Sequence, residues 1–409
     1  MKNFHILIAS LLIFGLAQAQ TFTNYTTTDG LVDDNVNCVV VDAQDNAWFG
    51  TQFGISKFDG TTWTSHTVAL DSGLVDNSIF TICVRANGDV WVGSDFGASK
   101  YDGSSWTTYT IADGLGDNRV KIIEEKSNGE LWFGDYDGLT IFDGTSWTSY
   151  NMSDGLPFGG IVSIDFDSNG DAWMGSGLGG LIKFDGTNFT EYTENEGLLN
   201  DIVKAVAVDA NDNKWVGTVY GVSVFDDNNL FVENHTMMYI LAPPDTLNPT
   251  VDVEINSLGC IWAGIYVDYL VTEGGIAFYS GGQWYDFDVS DGLIGPVIRD
   301  LEVDSQDDLW VATSTGVSKI SDYSGSSINE ILINEFTVYP NPASNRIFIQ
   351  SQAIINNVMI YNIQGKLIKN KEITNTKTEI SLAEFPKGMY ILRITGESET
   401  FSKRIIVQQ

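Results

Sequence analysis

The 409 residues carry 21 Lys+Arg against 54 Asp+Glu, a formal net charge of −33 at pH 7. So acidic a surface repels phosphate backbones, which argues against nucleic acid as a partner and leaves cations, basic or neutral ligands, or solubility alone as its purpose. The charge is uneven: Gln20 to Ile333 holds 11 Lys+Arg and 48 Asp+Glu, a net of −37, whereas Asn334 to Gln409 holds 9 against 6, a net of +3, so a domain boundary is expected between them.

The chain opens with Lys2, an apolar run from Ile6 to Leu16 and the small-x-small triplet Ala17-Gln18-Ala19. This is the pattern of a secretory signal peptide over residues 1–19, cleaved between Ala19 and Gln20. The run is well short of the roughly 20 residues that cross a bilayer, and no later stretch is long or apolar enough to span one. A tethered receptor with a cytoplasmic output domain on this polypeptide is therefore not expected. Cys38, Cys83 and Cys260 are odd in number and lack metal-ligand spacing, so they read as buried thiols, with a Cys38–Cys83 bridge the remaining alternative.

From residue 21 a repeat governs the sequence. A Trp followed two residues later by a small residue recurs at Trp48, Trp91, Trp132, Trp173, Trp215, Trp262 and Trp310, with five units nearly uniform and insertions in the last two intervals. Each unit holds four short strand-forming runs, such as Asn37–Asp42, Ala47–Thr51, Ile55–Phe58 and Trp63–Thr67, separated by turns of the Asn-Gly and Asp-Gly type. Four strands per unit and seven units predict an all-β, seven-bladed β-propeller over residues 20–320. Phe22-Thr-Asn-Tyr25 aligns with Trp63-Thr-Ser-His66, and the last unit lacks that strand, so the N-terminal strand should close the last blade. The repeated indoles read as inter-blade packing. Gly30-Leu31, Asp42, Trp48-x-Gly50-Thr51 and Gly54-Ile55 resemble the two-component regulator propeller repeats; that resemblance implies an extracellular binding scaffold, often for polysaccharide fragments.

A Ser/Gly-containing linker over 321–333 leads to a compact β-sandwich at 334–409. Its motifs are Tyr339-Pro340-Asn341-Pro342, Gly365, Gly388-x-Tyr390 and Lys403 near the end. They are similar to the C-terminal sorting domain of the type IX secretion system of Bacteroidota, with an Ig-like fold. The resemblance implies export to the outer-membrane surface or the medium, with the type IX machinery as partner.

No His, Glu or Cys pattern converges on an active site, so catalysis is poorly supported. Three arginines, Arg85, Arg119 and Arg299, are the weak case for a sialidase-like enzyme, and Arg119 and Arg299 both fall near the start of an innermost strand. Asp165-Phe166-Asp167-Ser168-Asn169-Gly170-Asp171 opens like a calcium loop but has Ser176 where the bidentate acid belongs, so a hairpin turn is the better reading and no cofactor is expected, calcium being the weak alternative. Loops joining strands two to three and blade to blade share one face. Insertions at Val232–Val251 and Ile265–Thr272 fall there, and His235, Tyr239, Tyr266 and Tyr269, with Arg119 and Arg299, are the candidate binding residues. The expected function is a secreted or surface-attached monomeric propeller binding a glycan or an extracellular protein; the alternatives are a carbohydrate-active enzyme and an accessory of the envelope or secretion machinery. Residues 334–409 fused to a periplasmic reporter should carry it across the outer membrane of a competent host, and retention in the periplasm would count against the sorting assignment.

Overall fold

The computed structural model describes residues 20–236, 238, 248–266, 274–280, 282–321, 337–339, 343, 345–362, 366–395 and 400–407. Thr21–Ser321 form one compact unit. Among its described residues are seven antiparallel four-stranded sheets and a single short helical turn, Met152–Asp154. Blade 1 comprises Val36–Val41, Ala47–Thr51, Ile55–Phe58 and Trp63–His66, and the later blades repeat it. The first strands of successive blades contact one another, and that of blade 7, Ile298–Val303, returns to that of blade 1. Seven inner strands thus ring a central channel.

In blades 1 to 5 and 7 the repeated Trp fills the cleft to the following blade. Trp48 clusters with Ile82, Val90 and Val92 of blade 2, Trp173 with Val216 and Phe225 of blade 5, and Trp310 with Ala47 and Phe49 of blade 1. A buried indole removes roughly 150–250 Å² from water, on the order of 4–6 kcal/mol before entropy costs. In blades 1, 4 and 7 the indole also donates Nε1–H to a carboxylate six residues upstream: Trp48 to Asp42, Trp173 to Asp167 and Trp310 to Asp304, each at 3.1 Å. The same carboxylates accept backbone N–H groups of the first hairpin turn, as Asp42 does from Gln44 and Asn46. The Asp165–Asp171 stretch is such a turn: Asp167 accepts from Asn169, Asp171 and Trp173, while Asp165 points away to the next blade.

The inner strands expose one edge to the channel, and its N–H groups need acceptors. Side chains of the preceding blade supply them. Asp300 and Glu302 of blade 7 accept from Val39 and Val41 of blade 1 at 2.7 and 3.2 Å. Ser163 and Asp165 of blade 4 accept from Val206 and Val208 of blade 5, and Asp252 of blade 6 accepts from Leu301 of blade 7. Glu124 and Glu254 complete the set of carboxylates in this wall, each with its affinity for a proton raised by lost solvation and by the other acids. Glu124 is pushed up to about 8 and Asp165 to about 6.

The N-terminal strand, Thr21–Tyr25, pairs antiparallel with Gly316–Ser321 from Thr21↔Ser321 to Tyr25↔Val317, and is the outer strand of blade 7. Asn24 adds a hydrogen bond to the carbonyl of Gly292 at 3.0 Å and accepts one from Ser318 at 2.7 Å. Phe22 covers Gly292, whose φ of +133° and whose closeness to that ring, which would lie 2.8 Å from a Cβ, both require glycine. Ser321, expected in the linker, is the last paired residue of the propeller. The insertions are likewise shorter than the sequence suggests: Val232–His235 belong to the outer strand of blade 5, Val251 to the inner strand and Ile265–Tyr266 to the second strand of blade 6.

The second unit contains a β-sandwich built on one long hairpin. Arg346–Gln350 pairs with Lys377–Ser381, register breaks between Gln350 and Ile355, and Asn357–Tyr361 pairs with Leu367–Glu372. The first half carries Thr337–Tyr339 on its free edge, the second carries Gly388–Thr395 and then Thr400–Val407. The two halves close on one core that includes Ile347, Ile349, Ile360, Ile380, Leu392 and Ile405.

Removing residues 20–26 should lower the melting temperature of the mature chain by on the order of 10 °C, because several kcal/mol of pairing and packing are lost at a few degrees each; an unchanged value would show that blade 7 closes without the strand. The channel carboxyls bind protons more tightly folded than unfolded, so their contribution to stability is complete at low pH and is lost as pH rises through about 6 for Asp165 and about 8 for Glu124. Glu124→Gln should therefore raise the melting temperature at pH 9 and change it little at pH 5, which calorimetry at the two pH values will check.

Candidate functional site

One face of the propeller collects the features that stay outside the blade clefts. The hairpins joining the second and third strands share it with the starts of the inner strands: the N–H of Ile79 reaches the carbonyl of Thr51, and that of Val120 the carbonyl of Ser94. Each hairpin is tightened by a hydroxyl or carboxylate at the end of the second strand. Thr51 Oγ1 donates to the carbonyl of Gly54 and accepts from the N–H of Phe53; Ser94, Thr218 and Thr313 repeat the arrangement. In blade 3 the buried Asp135 takes this place, accepting from Asp137 and Gly138, and burial raises its proton affinity to about 6. The glycine that follows accepts a φ near +140°, as Gly54 and Gly221 do, and lies against the backbone of the outer strand.

A turn so constrained pushes its second residue outward. Phe53 and Phe96 are 63% exposed, Leu178 is 64% and Tyr220 is 40% exposed, and Tyr136 stands one position earlier in the blade 3 hairpin. Large apolar side chains thus recur at the tips of five successive hairpins. Their sequence signal is the aromatic that precedes the hairpin glycine, as in Thr51-Gln52-Phe53-Gly54 and Thr218-Val219-Tyr220-Gly221, which the search for catalytic types passed over.

Within the circle of hairpins lies the channel mouth. Six of the seven inner strands that begin there skip one residue in their pairing at the second position, and the corresponding residues around the ring are Asn37, Phe80, Lys121, Val162, Lys204, Val251 and Arg299. Neighbours touch: Arg299 Nη1 donates to Asn37 Oδ1 at 3.3 Å, and Lys121 Nζ sits 3.6 Å above the ring of Phe80. Arg119 stands just above this level, paired with Asp117 at 3.2 Å and lying 3.7 Å over the ring of Tyr136.

The sequence-derived candidates divide. Arg119 and Arg299 are both exposed at this mouth. Arg85 is not with them: it follows the far end of its inner strand and pairs with Glu125 at 2.9 Å, so the three arginines do not form one cluster. Tyr266 ends the second strand of blade 6, where its N–H meets the carbonyl of Pro249. Tyr239 and Tyr269 lie outside the described residues. His235 faces the cleft between blades 5 and 6, stacked on Trp215 at 5.8 Å with Tyr279 and Trp284 around it, and burial lowers its proton affinity. It holds the place that Tyr25, Tyr109 and Tyr192 hold elsewhere, as does His66 against Trp48, so both histidines fill packing positions at the end of outer strands. Cys38, Cys83 and Cys260 are free and buried, Cys38 and Cys83 in different clefts, and burial raises all three thiols. Among the described residues no group of three or more His, Cys, Asp or Glu is arranged to hold a metal ion.

In the second unit Tyr339 lies over Phe348 at 5.7 Å, Gly388 begins a strand at φ +155°, and Tyr390 is buried against Phe385 with its hydroxyl on the carbonyl of Pro386 at 2.9 Å. Lys403 pairs with Leu392 through the backbone. Pro340, Asn341, Pro342, Gly365 and Ala19 lie outside the described residues, and Gln20 is the first within them.

Comparison with known proteins agrees with both units. Residues 337–408 match the family described as secretion system C-terminal sorting domain, and residues 73–96 match two component regulator propeller. The extracellular domain of the putative hybrid two component system BT3049 from B. thetaiotaomicron superposes with a TM-score of 0.66 at 18% identity, over 96% of this chain and 58% of that one. PorZ, an essential bacterial surface component of the type-IX secretion system of Porphyromonas gingivalis, superposes with a TM-score of 0.59 at 17% identity, over 92% and 60%. At these identities the likeness concerns the fold. Beta-agarase A of Zobellia galactanivorans is 29% identical over 134 residues, 30% of this chain and 23% of that protein. The chain thus spans about three-fifths of the solved structures and under a quarter of the curated relative. Among the described residues no helix is long and apolar enough to cross a membrane. A seven-bladed propeller with a two-component-regulator repeat is followed by a C-terminal sorting domain, which marks the protein for type IX export to the cell surface or the medium.

Proposed function

We propose that the exported propeller is a monomeric binding module, that its ligand is a glycan, and that the ligand is held on the hairpin face around the channel mouth. The observation that carries this reading is the recurrence of outward-facing Phe53, Phe96, Tyr136, Leu178 and Tyr220 at equivalent hairpin tips. Exposed apolar groups cost solubility, and five on one face around a concavity suit a ligand that presents apolar patches among polar groups, as the faces of sugar rings do. The rigid scaffold beneath them limits the ordering cost of binding, since each tip is fixed by a hydrogen-bonded turn. Support for a carbohydrate comes also from the relative named beta-agarase A. Arg119 and Arg299 supply polar contacts within the circle, and Tyr266 extends it at blade 6.

The mature chain should bind on a glycan array, and a Phe53→Ala, Phe96→Ala, Tyr220→Ala triple variant should lose about tenfold or more in affinity, as exposed anchors do on truncation, while keeping its melting temperature. Retained affinity in the triple variant would place the ligand elsewhere.

A further inference from the structure

The propeller sequence holds 11 Lys+Arg, and most are spent inside the fold. Lys57, Lys100, Lys183 and Lys319 reach carboxylates of the first turn, at 3.9, 2.7, 2.6 and 2.8 Å. Arg85 pairs with Glu125, Lys126 lies over Trp132, and Lys214 donates to Asn229 and lies over Trp173. The four that remain, Arg119, Lys121, Lys204 and Arg299, all stand at one mouth of the channel, where the inner strands begin.

Their placement is set by the fold. Lys121, Lys204 and Arg299 occupy the same register position in blades 3, 5 and 7, the residue that the strand pairing skips. No acid shares that ring: its other members are Asn37, Phe80, Val162 and Val251. In a propeller of net charge −37, a level carrying three cations and no carboxylate is a local reversal of sign. Lys121 is answered by Asp95 and Arg119 by Asp117, both from the rim. Lys204 and Arg299 are exposed and, among the described residues, form no ion pair.

Below this ring the channel wall turns acidic, with Asp252, Asp300 and Glu302 in inter-blade hydrogen bonds. An anion thus meets cations at the mouth and carboxyl groups below it, which sets a position along the channel axis as well as a sign. Around it stand the apolar hairpin tips.

Resting on the glycan-binding reading above, we infer that the mouth formed by Lys121, Lys204 and Arg299 is an anion subsite, and that the ligand is an acidic glycan bearing carboxylate or sulfate groups. The charged substituent sits on the ring while sugar faces lie against the surrounding tips. Guanidinium and ammonium groups gathered at a concavity are well suited to both anions.

The test uses the mature full chain with three probes of matched length in calorimetric titration: oligogalacturonate, a sulfated galactan oligosaccharide, and a neutral galactan oligosaccharide. An acidic probe should bind more tightly than the neutral one, and a Lys204→Glu, Arg299→Glu double variant should weaken acidic binding by about tenfold or more, several-fold more than it weakens neutral binding, with the melting temperature unchanged. The two acidic arms say whether carboxylate or sulfate is the substituent. Neutral binding equal to acidic binding, or acidic binding untouched by the double variant, overturns the anion subsite and leaves the glycan reading standing. Binding of no glycan of either kind overturns both, as does capture of acidic peptides in their place.

Discussion

A four-stranded sheet has two apolar faces and cannot cover either by itself, so each blade depends on its neighbours for burial. The repeated tryptophan is where that dependence is concentrated: every indole described above lies in the cleft to the following blade, and Trp310 finds its cover on blade 1. A linear array would leave the last such face in water. Closure follows from this, and with it the shared outer strand of blade 7, the channel, and a face on which the described hairpins converge.

The acidity has a structural origin that the composition alone leaves open. Across the blades carboxylates take up turn N–H groups: Asp42, Asp167, Asp209 and Asp304 in the first hairpin of four blades, Asp59 and Asp102 in the last hairpin of two, and Asp29 or Asp113 in the connection to the next blade. Repetition over seven blades multiplies that need. The inner edge adds a further set, because Asp165, Asp252, Asp300 and Glu302 are the acceptors for backbone that faces the channel instead of another strand. Much of the negative charge is therefore a by-product of satisfying backbone donors, and departures from it carry more information than the charge itself.

The blade count, the closing strand and the sorting motifs were legible because each is a local pattern repeated or ordered along the chain. Positions defined by three-dimensional register were not. His235 stands out in sequence as one of two propeller histidines, yet the alignment of Trp63-Thr-Ser-His66 with Phe22-Thr-Asn-Tyr25 already contains its explanation: the last residue of an outer strand stacks on an indole, and His serves there as Tyr does. The ring of Lys121, Lys204 and Arg299 is invisible without the skipped pairing that aligns residues 83 and 95 apart in sequence as near-equivalents. The hairpin tips were missed for a simpler reason, since an aromatic beside a glycine in a strand-rich repeat passes for core until the turn hydrogen bonds show which way it faces.

The pairing of Thr21–Tyr25 with Gly316–Ser321 joins the first strand to the last. Synthesis and export run from one end of the chain to the other, so the first strand must wait, unpaired, until nearly three hundred further residues have arrived; the hydrogen bond between Asn24 and Ser318 spans 294 positions. Such distant pairing makes closure a late and slow event. Only the stretch before the sorting domain supplies the partner, so a chain interrupted anywhere short of blade 7 has an open ring and an orphan edge. Completion of the ring thereby acts as a record that the whole propeller has been made.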